Sequence, residues 1–86
     1  MAEVKVESAV RPIYEIAREI HQNWKDINYA AKPYLSAMST VDKITDNYGC
    51  DNAKSIVLYF LSNAGSWRGE VARRIKAELK DLMKRK

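Results

Sequence analysis

Arg73, Lys76, Lys80 and Lys84 recur every three or four residues near the end of this chain, and Arg85 and Lys86 follow them. On a helix, that spacing sets about one cation per turn along one side. Each step advances about 5–6 Å, comparable with the phosphate repeat along a nucleic-acid strand. The chemistry on offer is neutralisation of several anions at once. Arg68 could reach further along such a partner, with Gly69 letting a backbone or phosphate approach closely. Two plainer accounts compete with this one. Cations favour the C-terminal end of a helix macrodipole on any solvated face, and Glu70, Glu78 and Asp81 dilute the patch. Arg68 could equally lie over the end of the core, paired with a carboxylate, while Gly69 admits a neighbouring helix.

Nucleophilic chemistry has less to work with. Cys50 precedes a helix start, where the macrodipole can lower a thiol pKa, but a thiolate enzyme also needs a base. His21 is the single histidine, and nothing in the sequence brings it to Cys50. One His and one Cys fall short of a metal ligand set. The expectation is a protein without catalysis, cofactor, metal or small-molecule substrate.

The elements that must position these groups follow from size and pattern. With 86 residues, 47% of them apolar, and only three Gly and two Pro, the chain reads as a single domain with one modest core. The lone cysteine excludes an internal disulfide and fits a reducing, cytoplasmic setting. No signal-like segment is legible at the start, and the apolar run 56–61 is far too short to span a membrane. The net charge of +4 is uneven: seven basic groups face eight acidic ones before residue 66, and eight face three after it.

Four helices are expected, giving an all-α compact bundle, with 1–10 and 85–86 as frayed ends. The first starts at Pro12 and runs to 23–27, with Ile13, Ile16, Ala17, Ile20, Trp24 and Ile27 on one stripe. Pro33 opens the second, read over 33–48 from Tyr34, Met38, Val41, Ile44 and Tyr48, with Gly49 as its stop. Asp51 is the expected N-cap of the third, over 52–63. Its run Ile56-Val57-Leu58-Tyr59-Phe60-Leu61 is apolar on almost every side, which places it at the centre of the domain. The fourth, over 67–84 with Ser66 as cap, carries Trp67, Val71, Ala72, Ile75, Leu79, Leu82 and Met83 on one side and the basic row on another.

The stretch from Ser55 through Asn63-Ala64-Gly65-Ser66-Trp67-Arg68-Gly69-Glu70 to Lys76 resembles a family of small open reading frames of phages, prophages and conjugative elements in Gram-positive and gut bacteria. The segments Ile13-Tyr14-Glu15-Ile16-Ala17-Arg18-Glu19-Ile20 and Tyr34-Leu35-Ser36-Ala37-Met38 are similar to the same family. The resemblance implies a mobile-element origin in a bacterial cytoplasm and carries over no site residue.

The functional expectation is a small binding module acting through the fourth helix, with Arg68, Arg73, Lys76, Lys80 and Lys84 as contacts. Its partner is either a nucleic acid or a protein, the latter a host regulatory or defence factor or a second copy of the chain. For a protein partner, Tyr29, Tyr59 and Trp67 are the aromatic anchors. The third and fourth helices also share the outline of a helix-turn-helix, which makes a DNA-binding accessory protein the alternative.

Overall fold

The computed structural model describes residues 11–49 and 51–84. Its first helix, α1 (Ile13–Asn23), begins behind Pro12, whose φ of −62° and ψ of 145° hold the entering chain extended. The first N–H groups of a helix have no partner within it. Here the Ile13 and Tyr14 amides donate to the carbonyls of Asp42 and Val41 at 2.8 and 2.9 Å. The start of α1 is thus tied to a segment far along the chain. Ile13, Ile16, Ala17 and Ile20 are fully buried. The helix closes at Trp24, whose N–H reaches back to the Ile20 carbonyl while its backbone turns extended.

The second helix, α2 (Lys32–Met38), has Pro33 in its first turn, one residue after its start, but ends ten residues short of 48. Two hydroxyls account for the stop. Ser39 Oγ donates to the Leu35 carbonyl and Thr40 Oγ1 to the Ala37 carbonyl, so the terminal acceptors are satisfied without another helical turn. The chain beyond has different work. Val41 and Asp42 serve α1, and Asp46 accepts from the Asp42 and Lys43 amides at 3.0 Å each, closing a turn.

A short antiparallel ladder follows: β1 (Asn47–Tyr48) pairs with β2 (Asp51–Asn52), Asn47 opposite Asn52 and Tyr48 opposite Asp51. Gly49, at φ 64°, takes the left-handed conformation that the tight reversal requires. The fold is therefore mostly helical with a small two-stranded sheet, and all-α holds only approximately. The third helix, α3 (Ala53–Ser62), is capped by Asn52 and not by Asp51; Asn52 Oδ1 accepts from the Ser55 amide at 2.8 Å. Nor is α3 enclosed. Ala53, Ile56, Val57 and Phe60 are buried, but Leu58 and Tyr59 are half exposed.

The fourth helix, α4 (Glu70–Lys84), begins later than 67. Gly69 has φ 114°, which interrupts any helix entering from Trp67, and its carbonyl accepts the first helical bond, from Arg73 at 3.0 Å. Gly69 thus lies ahead of the first turn, where glycine is required, and not inside it, where glycine would cost stability.

An aromatic cluster joins three of these elements. The rings of Trp24 and Trp67 stack at 5.5 Å and 11°, and Phe60 meets Trp24 edge-on at 6.2 Å. Trp67 Nε1 donates to Asn23 Oδ1 at 2.8 Å, so the buried indole keeps its polar atom satisfied. A polar clamp closes the opposite end of the α1–α4 contact. Arg11 makes a bidentate pair with Glu78 and a further pair with Glu19, which also binds Arg74.

Candidate functional site

The amphipathic pattern of α4 buries Ala72, Ile75, Leu79 and Leu82 against the domain and leaves the opposite side to solvent. Arg73, Ala77, Lys80 and Lys84 are all exposed and fall within a sector of about 60°. Ala77, between Arg73 and Lys80 along the helix and at one edge of this sector, is too small to hold a partner away from the surrounding cations.

The structure sorts the expected contact residues into two groups. Arg68, Arg73, Lys80 and Lys84 face solvent. Among the described residues, no carboxylate lies within ion-pair distance of any of them. Lys76 behaves differently. It is partly buried, its Nζ donates to the Trp67 carbonyl at 2.7 Å, and the ammonium stands 5.9 Å from the centre of the Trp67 ring. Burial, and after it the nearby charges of Arg68 and Lys80, lower the Lys76 pKa from its ordinary value. Lys76 therefore serves the fold first.

The acids that should dilute the patch are divided in the same way. Glu78 is taken up by Arg11 on the inner side of α4. Glu19 of α1 pairs with Arg74, which stays exposed and is the one cation of the C-terminal segment held in an ion pair among the described residues. Arg11 is held charged by its hydrogen bond to Glu78, which outweighs the opposing effect of burial. Burial pushes Glu19 upward, but Arg74 and Arg11 overcome it and leave its carboxyl below the ordinary range. Glu70 and Asp81 stay exposed at the margin of the basic face.

The aromatic residues also separate. Tyr29 is 87% exposed on the connection between α1 and α2, and Tyr59 is half exposed on α3 with its ring 5.5 Å from that of Tyr34. The side-chain amide of Asn28 donates to the Asn63 carbonyl and so fixes the Tyr29 turn beside the C-terminal end of α3. Trp67 does not belong with them. At 2% exposure it is a core residue whose stacking face is covered by Trp24, which removes it as a surface anchor. The Tyr29–Tyr59 region and the basic face of α4 are built on different elements.

His21 is exposed, bordering a shallow depression with Tyr14, Arg18 and Ser39, while Cys50, Arg85 and Lys86 lie outside the described residues. Among the described residues there is no group of three or more His, Cys, Asp or Glu able to hold a metal ion. None of the described helices is long and apolar enough to cross a membrane. The connection 63–69 between α3 and α4 exceeds the turn of about three or four residues that a helix-turn-helix uses.

The row of Arg73, Lys80 and Lys84 was legible on the helical wheel, whereas the Arg11 clamp carries no sequence signal, because Arg11 and Glu78 are 67 residues apart. No family model, curated protein or solved structure matches the chain.

Proposed function

We propose that this protein is a small, non-enzymatic binding module that docks onto the phosphate backbone of nucleic acid through the outward face of α4. One observation carries the reading. The fold's ion pairs consume Glu19 and Glu78 together with Arg11 and Arg74, and leave Arg68, Arg73, Lys80 and Lys84 turned to solvent without a described carboxylate partner. A row of cations with no carboxylate partner among the described residues attracts polyanions, and its contribution arises from counterion release, independent of sequence. The smallness of Ala77 and the 15-residue length of α4 favour a backbone lying along the helix. An origin in a phage or other mobile element is part of the proposal and rests on the resemblance of 55–76.

The test is direct titration of a fluorescent duplex DNA and a single-stranded RNA at low salt. The combined Arg73→Gln, Lys80→Gln, Lys84→Gln variant should keep its fold, since exposed helix changes cost within about 0.5 kcal/mol each. It should also lose most of its affinity. No detectable binding by the unaltered protein to either probe rejects the reading.

A second reading is favoured by one specific observation, the exposure of the large hydrophobic side chains of Tyr29, Leu58 and Tyr59, the last of them beside Tyr34. Such residues anchor protein interfaces. In this reading the partner is a host protein or a second copy of the chain. Tyr59→Ala then abolishes association while the triple Gln variant does not.

A further inference from the structure

A depression of about 330 Å³ opens at the upstream end of the basic face, between the α3–α4 connection and the first turns of α4. Its charged lining is Arg68, Arg73 and Lys76, with no carboxylate, and its floor includes Trp67, Gly65 and Gly69. Glu70 lines the neighbouring depression with Arg74 and not this one. We propose that this cavity is a binding site for a single phosphate group, either a small phosphate or the terminal phosphate of a nucleic-acid strand whose backbone continues along α4.

Three features argue for it together. The first is the arrangement of charge. Arg68 is exposed on the connection, Arg73 is carried on α4, and Lys76 is already oriented by its 2.7 Å bond to the Trp67 carbonyl, with further ammonium protons left to donate. Two guanidinium groups and one ammonium lining the same cavity can between them donate to several oxygens of one phosphate. The second is that these cations work against one another in the unliganded protein. The charge of Arg68 disfavours the protonated form of Lys76, after burial, and an anion between them reverses that effect.

The third feature is Gly65. Gly69 needs to be glycine for its φ of 114°, but Gly65 has no positive φ, and a Cβ there would meet no protein atom within 4 Å. Neither backbone conformation nor packing asks for glycine at 65. What the missing side chain does provide is room at the cavity wall.

The strand-end form rests on the function proposed above; binding of phosphate itself does not. The experiment has two arms with the full chain. In the first, inorganic phosphate is titrated against sodium chloride of equal ionic strength while the Gly65 and Gly69 amides and the Trp67 indole N–H are followed by NMR. The expected result is saturable shifts at these signals with phosphate alone, lost in Arg68→Gln and weakened in Gly65→Ala, both variants keeping the thermal melt of the parent. In the second arm, one oligonucleotide is compared with a 5′-phosphate and with a 5′-hydroxyl end. The phosphorylated strand should bind about tenfold tighter, as one lost charge-assisted contact implies, and Arg68→Gln should remove the difference.

Saturation by phosphate without any end preference supports the site and assigns it to free phosphate groups. If phosphate produces no more shift than chloride, or if Arg68→Gln leaves saturation unchanged, the proposal is overturned. The two readings fail separately. Equal binding of both strands with no phosphate saturation removes this site and leaves the α4 face, whereas saturation by phosphate with neither strand bound removes the nucleic-acid reading and leaves this site.

Discussion

Lys76 donates from Nζ to the carbonyl oxygen of Trp67 at 2.7 Å while its ammonium stands 5.9 Å from the centre of the same residue's ring. One side chain thus pins both the backbone and the indole of the residue that seals the core ahead of α4. The wheel position of Lys76 in the basic row gave no hint of this, since the row alone makes it equivalent to Lys80.

The two lysines should therefore separate on stability. Lys76→Gln removes a charge-assisted hydrogen bond and a cation–π contact, and should cost about 1–2 kcal/mol. Lys80→Gln should stay within about 0.5 kcal/mol of the parent. Urea denaturation of both variants checks this; equal midpoints would show that the Lys76 contact contributes nothing.

The Trp24–Trp67 stack should be the most sensitive point of the core. Trp67→Ala removes a side chain that is 2% exposed, opens a cavity against Trp24 and leaves Asn23 Oδ1 without its donor, which should cost about 3–5 kcal/mol. Trp67→Phe preserves part of the packing and loses the hydrogen bond, and should cost less. Reversal of that order in thermal melts would contradict the role assigned to the stack.

The ion-pair clamp gives stability a pH dependence of definite sign. The Glu19 carboxyl lies below its ordinary value in the folded protein, burial being outweighed by Arg74 and Arg11. A lowered folded pKa means that the stabilisation is present above the unfolded value of about 4.3 and lost as pH falls through the folded one. Asp46, lowered by the Lys43 and Asp42 amides, acts in the same direction. Stability should fall as pH drops from about 5 toward 3, and Glu19→Gln should make that fall shallower without removing it. An identical pH profile in the variant would place the acid sensitivity elsewhere.

The two glycines of the α3–α4 connection should respond unequally to alanine. At Gly69 the φ of 114° makes Gly69→Ala strained, with a cost of about 1 kcal/mol or more, while Gly65→Ala meets open space and should be nearly neutral. Chemical denaturation of the pair checks the contrast. Equal losses would mean that the backbone at 65 is as constrained as at 69.

Much of the helical frame could be read from residue pattern because amphipathic spacing is a local property. Ile13, Ile16, Ala17 and Ile20, like Ala72, Ile75, Leu79 and Leu82, are buried as their spacing demands. The failures came where a local signal met a distant or side-chain partner. The second helix ended at Met38 because Ser39 and Thr40 satisfied its carbonyls and because Val41 and Asp42 were drawn to the start of α1. A run as apolar as Ile56–Leu61 suggested enclosure, yet Leu58 and Tyr59 face solvent, since a domain of this size lacks the elements to cover every side of a helix. At the candidate site, the cations were visible in the sequence. Which of them the fold consumes was not, because that is decided by Arg11 and Glu19, 67 and 55 residues from their partners on α4, and by the Trp67 carbonyl, nine residues before Lys76 and ahead of the helix.

The most direct test of the nucleic-acid reading is the salt dependence of binding to a duplex, measured for the unaltered protein and for the combined Arg73→Gln, Lys80→Gln, Lys84→Gln variant. If the α4 face neutralises phosphates, the logarithm of the affinity should fall linearly with the logarithm of salt concentration. The slope for the variant should be shallower by about 0.9 for each contact removed, or nearly three in all. Equal slopes for the two proteins would contradict the account, because they would show that Arg73, Lys80 and Lys84 touch no phosphate.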